Sequence, residues 1–152
     1  MDYFDPFARE FWQLITVAVL CGTIVGLERQ IRGKPAGVRT STLIVLGSAV
    51  FIHLGASIPG EGSDPTRVLG QLITGIGFLG AGVMFSREGV VNGVTTASVI
   101  WVLAGIGVAI GLGHQEAAIA LSIVTVLVLI GIELLESSVI WLTRGVHQRG
   151  ED

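Results

Sequence analysis

Five long apolar runs, separated by short polar connections, dominate the pattern of hydrophobic and polar positions. A helix needs about 20 largely apolar residues to cross a bilayer, and every run approaches or exceeds that length once the last continues through Glu133 to Leu135. The pattern predicts an all-α integral membrane protein, a single-domain bundle of about five transmembrane helices. We place these helices at about 11–27, 40–58, 68–86, 93–113 and 117–141.

Composition supports lipid as the surrounding solvent. Only 14% of the 152 residues are charged, whereas a soluble domain of this size carries about 25%. The 22 glycines also favour a membrane protein, because small residues let transmembrane helices approach closely. A transmembrane β-barrel would show segments of about ten residues that alternate between apolar and polar. The runs here are longer and apolar on every face, so we discount a barrel.

Basic residues are distributed unevenly between the connections. Five spans place the first connection, the third connection and the C-terminal tail on one side, and these hold seven of the nine basic residues. They are Arg29, Arg32, Lys34, Arg39, Arg87, Arg144 and Arg149. The opposite side holds only Arg9 and Arg67. Because cytoplasmic loops carry the excess of Lys and Arg, we predict an outer N-terminus and a cytoplasmic C-terminus.

Glycines recur at helix-packing spacing in three of the predicted helices. They are Gly22 and Gly26, then Gly75, Gly77, Gly80 and Gly82, and finally Gly107 and Gly111. Packing within or between protomers is one interpretation. The other is that the 75–82 segment breaks its helix and exposes carbonyl groups to an ion. Residues 75–80 also fit G-x-G-x-x-G, but the dinucleotide fingerprint needs a strand before it and a βαβ unit around it.

Charged side chains near the cytoplasmic ends of the helices leave two interpretations open. Glu133 and Glu136 lie about one helical turn apart and share a face, so they could coordinate Mg²⁺ through water. Alternatively, they pair with the basic residues predicted at the same depth. Asn92 either caps the fourth helix or lines an entrance.

No nucleophile, acid–base or zinc-ligand arrangement has a usable spacing, which argues against an enzyme. The net charge of −3 argues against a nucleic-acid partner.

Three segments together resemble the MgtC/SapB family, and their order and spacing match it over roughly residues 11–135. The segments are Gly26–Arg29 with Lys34–Thr40, Asp64–Arg67 leading to Gly75–Gly82, and Val94–Ala97 leading to Trp101. Carried onto this chain, the polar motif positions of the family are Glu28, Arg29, Lys34, Arg39, Asp64, Arg67, Asn92, Thr95 and Thr96. Among them, Asp64, Glu28 and Asn92 are the candidate metal ligands.

The resemblance implies a multi-pass protein of the bacterial inner membrane that forms a homodimer. It implies a role in adaptation to low Mg²⁺ and, in pathogens, an association with virulence. Longer members add a soluble C-terminal domain, whereas about ten residues follow Trp141 here. The chain therefore resembles the short form of the family or a truncated piece.

Two functions remain open at this point. In the first, the protein moves or senses a cation, with Asp64 and Asn92 at opposite mouths and Mg²⁺ as ligand or substrate. In the second, it is a non-enzymatic regulator whose helices dock on a membrane partner, such as the F-type ATP synthase that the resemblance suggests. Neither function calls for a cofactor.

Overall fold

The computed structural model describes residues 5–57, 65–87 and 90–138, with side chains except at 65, 87 and 136–138. This part of the chain contains five helices and one short hairpin. The helices are α1 Arg9–Ile31, α2 Val38–Ser57, α3 Pro65–Val83, α4 Val94–Gly111 and α5 Gln115–Ser138, and the strands are β1 Phe85–Arg87 and β2 Val90–Asn92. All five helices are long and apolar enough to cross a membrane, as predicted.

A left-handed glycine ends α1 and fixes the residue after it. Gly33 has φ +63°, a conformation that glycine adopts without the steric cost of a Cβ atom. Its N–H donates to the Gln30 carbonyl at 3.1 Å, and the N–H of Lys34 donates to the Arg29 carbonyl at 2.9 Å. These two bonds form a Schellman motif. They extend α1 beyond the predicted end at residue 27 and place Lys34 over the last turn of the helix.

The inner helices α1 and α2 approach each other through two glycines. A Cβ atom at Gly22 would lie 2.4 Å from the Thr42 Cα atom, and one at Gly26 would lie 2.6 Å from the Val38 Cα atom. Backbone atoms cannot move aside as a flexible side chain can. The two helices can therefore pack this closely only because both positions lack a side chain.

The helix α4 packs against the other side of α2 in the same way. A Cβ atom at Gly107 would lie 2.5 Å from the Val45 carbonyl oxygen, and one at Gly111 would lie 2.6 Å from that of Ala49. Around these contacts lies the main apolar core, drawn chiefly from α1, α2 and α4. Its buried members are Leu14, Ala18, Cys21, Val25, Val45, Ala49, Val99, Leu103, Ile106, Ile110 and Ala118.

The outer helices α3 and α5 are much less buried than the other three. Only 11% of the most apolar window of each is buried, against 50% for α4. At Gly75, Gly77 and Gly82 of α3, a Cβ atom would meet no atom of another described element within 4 Å, and at Gly80 the nearest would be the Ala97 Cβ at 3.6 Å. The predicted glycine ridge of α3 is therefore largely exposed within this chain. All four of these glycines remain helical, so the helix is not broken there.

The region after α3 corrects the sequence prediction. We predicted a third helix to residue 86, but α3 ends at Val83 and an antiparallel hairpin follows, with Phe85 opposite Asn92. Gly93, at φ +89°, then turns the chain into α4, and a Cβ atom there would lie 2.2 Å from the Val83 carbonyl oxygen. The aromatic and β-branched residues of the hairpin favour strands, and this preference was hidden inside long apolar runs.

The other helix boundaries differ from prediction by a few residues. α2 begins two residues earlier than predicted, α4 ends at Gly111 rather than 113, and α5 begins at Gln115 rather than 117. The end of α4 has the same Schellman motif as α1, with Gly113 at φ +87°. The predicted end of the fifth helix at 141 lies outside the described residues.

Candidate binding site at the ends of α1 and α5

A cavity of about 680 Å³ opens between α1, α4 and α5. One end of its lining is charged, and the rest is apolar apart from hydroxyl groups. The polar lining consists of Glu28, Arg29, Arg32, Lys34, Thr95, Ser98, Thr125 and Glu133. The apolar lining consists of Val99, Val102, Leu121, Val124, Val128, Leu129 and Ile132. Its volume lies in the usual range for small-molecule sites, about 300–1,000 Å³.

Arg32 joins two carboxylates at the charged end. Its Nε lies 2.9 Å from Glu28 Oε1, one helical turn away on α1, and its Nη1 contacts Glu133 Oε2 on α5. The Glu28 side chain is only 6% exposed, whereas that of Glu133 is 52% exposed. Arg32 therefore compensates a buried charge on its own helix and links that helix to the end of α5.

Arg29 is a buried cation fixed by neutral groups. The residue is 4% exposed. Its Nη2 donates to Thr96 Oγ1 at 2.9 Å, and its Nε donates to the Pro35 carbonyl at 3.3 Å. A guanidinium has five N–H donors, and among the described residues these two bonds are the ones it makes. Arg29 thus connects α1, the α1–α2 turn and the start of α4, and it lines the cavity.

The cavity brings together four of the predicted polar motif residues, namely Glu28, Arg29, Lys34 and Thr95. Thr96 lies beside them as the hydrogen-bond partner of Arg29.

Arg39 lies elsewhere, because it lines a separate apolar pocket between α2 and α3. Arg67 is exposed near the start of α3, at the opposite ends of the helices. Asp64 lies outside the described residues, so its role as a metal ligand stays a prediction.

Asn92 does not cap α4, which corrects one of its two interpretations. The cap position belongs to Gly93, and no side chain accepts a hydrogen bond there. Asn92 instead ends β2, is exposed, and donates through Nδ2 to the Val90 carbonyl at 3.3 Å. It does not line the cavity that holds Glu28.

The carboxylates near the cavity favour ion pairing over a metal cluster. In the described part of the chain, no group of three or more His, Cys, Asp or Glu residues is placed to hold a metal ion. Glu28 and Glu133 both contact Arg32. The second oxygen of Glu28, Oε2, is buried and has no hydrogen-bond partner among the described residues. The side chain of Glu136 lies outside the described set.

Sequence reasoning missed the wall residues of the cavity and the central position of Arg32. The spacing of Glu28 and Arg32 was the available signal, because opposite charges four apart meet on one face of a helix. Ser98 and Thr125 carried no comparable signal, because in the sequence each looks like an ordinary transmembrane hydroxyl. In the structure each donates to a carbonyl of its own helix.

Five helices of spanning length around a largely apolar interior define a polytopic α-helical membrane protein. A comparison with protein-family models matches residues 15–138 to the MgtC family. The chain belongs to the MgtC family. No solved structure matches it.

Curated relatives agree with this assignment. The chain is 46% identical over 124 residues to the Escherichia coli (strain K12) protein named "Putative magnesium transporter YhiD", which covers 77% of this chain and 57% of the relative. It is 45% identical to protein MgtC of Salmonella typhimurium (strain LT2), over 72% of this chain and 47% of the relative. For protein MgtC of Brucella abortus (strain 2308) the identity is 44%, over 68% and 43%. The chain thus spans about half the length of the curated relatives it matches.

Proposed function

We propose that this chain is a protein of Mg²⁺ homeostasis in the bacterial inner membrane, and that it acts as a regulator rather than as a Mg²⁺ pathway within one protomer. The name of the YhiD relative supports the connection with magnesium. In this proposal the cavity mouth lies on the cytoplasmic side, where the positive-inside rule places the ends of α1 and α5. The protein needs no catalytic group for such a role.

The observation that carries the regulatory role is the double contact of Arg32 with Glu28 and Glu133. Cation pathways are commonly lined by acidic side chains with oxygens directed at the ion. Here both carboxylates at the cavity already contact a guanidinium, and Arg29 and Lys34 add positive charge at the same mouth. Such a mouth repels Mg²⁺. It suits a protein whose α5 is held against α1 by a charge contact that a partner can open.

A second candidate function has its own support. The exposed face of α3, with Gly75, Gly77 and Gly82 open, suits close packing against a second copy of the chain. A cation path between two copies would not need the cavity inside one protomer. In that case the homodimer, rather than the single bundle, would be the transporter.

Mg²⁺ entry into sealed proteoliposomes separates the two functions. The purified chain is reconstituted with a trapped Mg²⁺-sensitive dye, and its folding is checked by helical circular dichroism in the same vesicles. We expect no Mg²⁺ entry above that of empty vesicles. Selective entry that disappears in Gly77→Leu, which is directed at the dimer face, would instead support the transporter.

Growth in Mg²⁺-limited medium tests the regulatory role directly. We expect the chain to change the growth of a host that lacks its own relative, and Arg32→Gln to abolish that change at equal membrane abundance. Arg67→Gln is the matched control, because it removes the same charge at the opposite ends of the helices. If both variants behave like the unchanged chain, the Arg32 contact is not the functional element.

A further inference from the structure

The cavity between α4 and α5 has the dimensions of one membrane leaflet. Its wall on α5 runs from Leu121 to Glu133. Twelve residues of helix rise about 18 Å, and half of a hydrocarbon core of about 30 Å is about 15 Å. The apolar wall therefore extends from the charged end roughly to the middle of the bilayer.

The rest of the described chain covers this wall only in part. Val124, Val128 and Ile132 line the cavity, yet each is about half exposed, at 52%, 50% and 52%. They follow one another at four-residue spacing, so they form a single stripe along α5. A flexible hydrocarbon chain can enter the cavity sideways from the bilayer without crossing the bundle.

Among the described residues, the charged end carries an excess of positive charge. Three cations, Arg29, Arg32 and Lys34, line it together with two carboxylates. Both carboxylates contact Arg32. Glu28 also acts electrostatically on the neighbouring Arg29, but no ion pair joins either carboxylate to Arg29 or Lys34 among the described residues. A buried cation such as Arg29 is costly unless an anion or several hydrogen bonds compensate it. The cavity therefore combines a cationic mouth that suits an anion with an apolar wall that suits a hydrocarbon chain.

We propose that the cavity binds one anionic phospholipid of the cytoplasmic leaflet. Its phosphate lies between Arg29 and Lys34, and one acyl chain lies along the wall formed by Val102 of α4 with Val124 and Val128 of α5. Basic pockets between transmembrane helices on the cytoplasmic side have the chemistry that recognises anionic headgroups. The proposal does not depend on the role in Mg²⁺ homeostasis, because it concerns which lipid the folded chain holds.

Lipid retention by the purified full chain tests the proposal. After delipidation in neutral detergent, phosphatidylglycerol and phosphatidylcholine with identical acyl chains are titrated and bound lipid is counted by native mass spectrometry. We expect one phosphatidylglycerol to bind at least fivefold more tightly than phosphatidylcholine. Equal retention of the two lipids would overturn the proposal, as would equally tight binding of soluble glycerol phosphate, which would assign the mouth to a free phosphate.

A pair of charge variants locates the headgroup. Lys34 and Arg39 are both exposed at the same ends of the helices, but only Lys34 lines the cavity. Lys34→Gln should weaken phosphatidylglycerol binding about fivefold, the effect of one basic residue near an anionic lipid, and Arg39→Gln should leave it unchanged. Equal losses in both variants would show a general surface attraction and contradict a specific site.

A second pair of variants locates the acyl chain. Val128 lines the cavity, whereas its neighbour Leu127 is 63% exposed and lies outside it. Val128→Phe fills the cavity and should abolish the tight binding of one lipid, while Leu127→Phe should retain it. If Val128→Phe instead separates a dimer and leaves lipid binding intact, the cavity belongs to a second copy of the chain and the lipid proposal is wrong.

Discussion

The paired glycines of α1 and α4 and most of the glycines of α3 look alike in the sequence but have opposite surroundings in the structure. Gly22, Gly26 and Gly107 meet backbone or Cβ atoms of α2 so closely that a Cβ atom cannot fit. Gly75 and Gly77 of α3 meet nothing within 4 Å of the same constructed position. Small-residue spacing therefore predicts that a helix can pack closely, but it does not tell which surface covers it.

The attachment of the helices differs in the same way. The inner helices α1, α2 and α4 share a continuous apolar core. The outer helix α5 contributes Ala118 to that core, with Ile119, Val126 and Leu129 packed against it. Polar contacts join it to α1 at both ends as well, Gln13 with Gln115 at one and Arg32 with Glu133 at the other. The attachment of α5 thus combines a narrow apolar contact with a few polar side chains, which makes it sensitive to substitutions of a different kind from those that disrupt the glycine contacts.

The largest expected effect is at the inner contact. Gly22→Leu should destabilise the chain by about 3 kcal/mol or more, because overpacking against backbone cannot be relieved by a side-chain rotation. Thermal unfolding in detergent, followed by circular dichroism, measures the loss. A Gly22→Leu protein that unfolds like the unchanged chain would show that α1 and α2 are not in this contact.

The next effect is at the charged attachment of α5. Arg32→Gln should cost about 2 kcal/mol, since it leaves the carboxylate of Glu28 buried without its cation. Glu133→Gln should cost at most about 1 kcal/mol, because this side chain is half exposed. Denaturant unfolding of the two variants tests the order. If Glu133→Gln is the more damaging, the contact with α5 rather than the compensation of Glu28 is the important one.

A smaller effect is expected at the opposite end of α5. The amide of Gln13 donates to Gln115 at 2.6 Å, and Gln115→Ala should cost about 0.6 kcal/mol, the mean for hydrogen bonds between transmembrane helices. Faster amide hydrogen exchange in the first turns of α5 should accompany it. Adding Gln13→Ala should cause little further loss, because both variants remove the same bond; additive losses would contradict a direct contact.

The smallest effect on folding is expected at the outer glycines. Gly77→Leu should change the stability of one protomer by less than about 0.5 kcal/mol, as for other exposed substitutions, while it weakens self-association through α3. Unfolding and sedimentation of the same preparation separate the two quantities. A loss of stability comparable to that of Gly22→Leu would mean that α3 is covered within the protomer after all.

Much of the fold could be predicted from the sequence, because length and apolarity determine which segments can span a bilayer. The hairpin could not be predicted, because Phe85 and Val90–Asn92 belong to apolar runs that look continuous in the sequence. In the structure these residues pair as two short strands instead of forming helix. The extension of α1 past residue 27 was also missed. The apolar run ends before the charged Glu28, whereas the helix itself continues to the Schellman motif at Gly33. The membrane orientation stays a prediction.

The candidate site could be predicted in part. The family resemblance points to four of the cavity residues, Glu28, Arg29, Lys34 and Thr95. Their meeting in one cavity depends on how α1 packs against α4, and the bonded residues Arg29 and Thr96 are 67 positions apart. No spacing within one helix reveals such a contact. Arg39 belongs to the same motif but lies on another surface. Proximity in sequence therefore grouped residues that the fold separates.

The hydrogen bond from Arg29 to Thr96 has a consequence for the order in which the protein is made. Its two residues are 67 positions apart, and chains grow at about 5–20 residues per second. Thr96 therefore emerges roughly 3–13 s after Arg29 by the same rate. Until α4 is made, the Arg29 guanidinium lacks this bond. We therefore expect the early half of the chain to rely on water, on lipid headgroups or on Glu28 of the same helix to stabilise this charge.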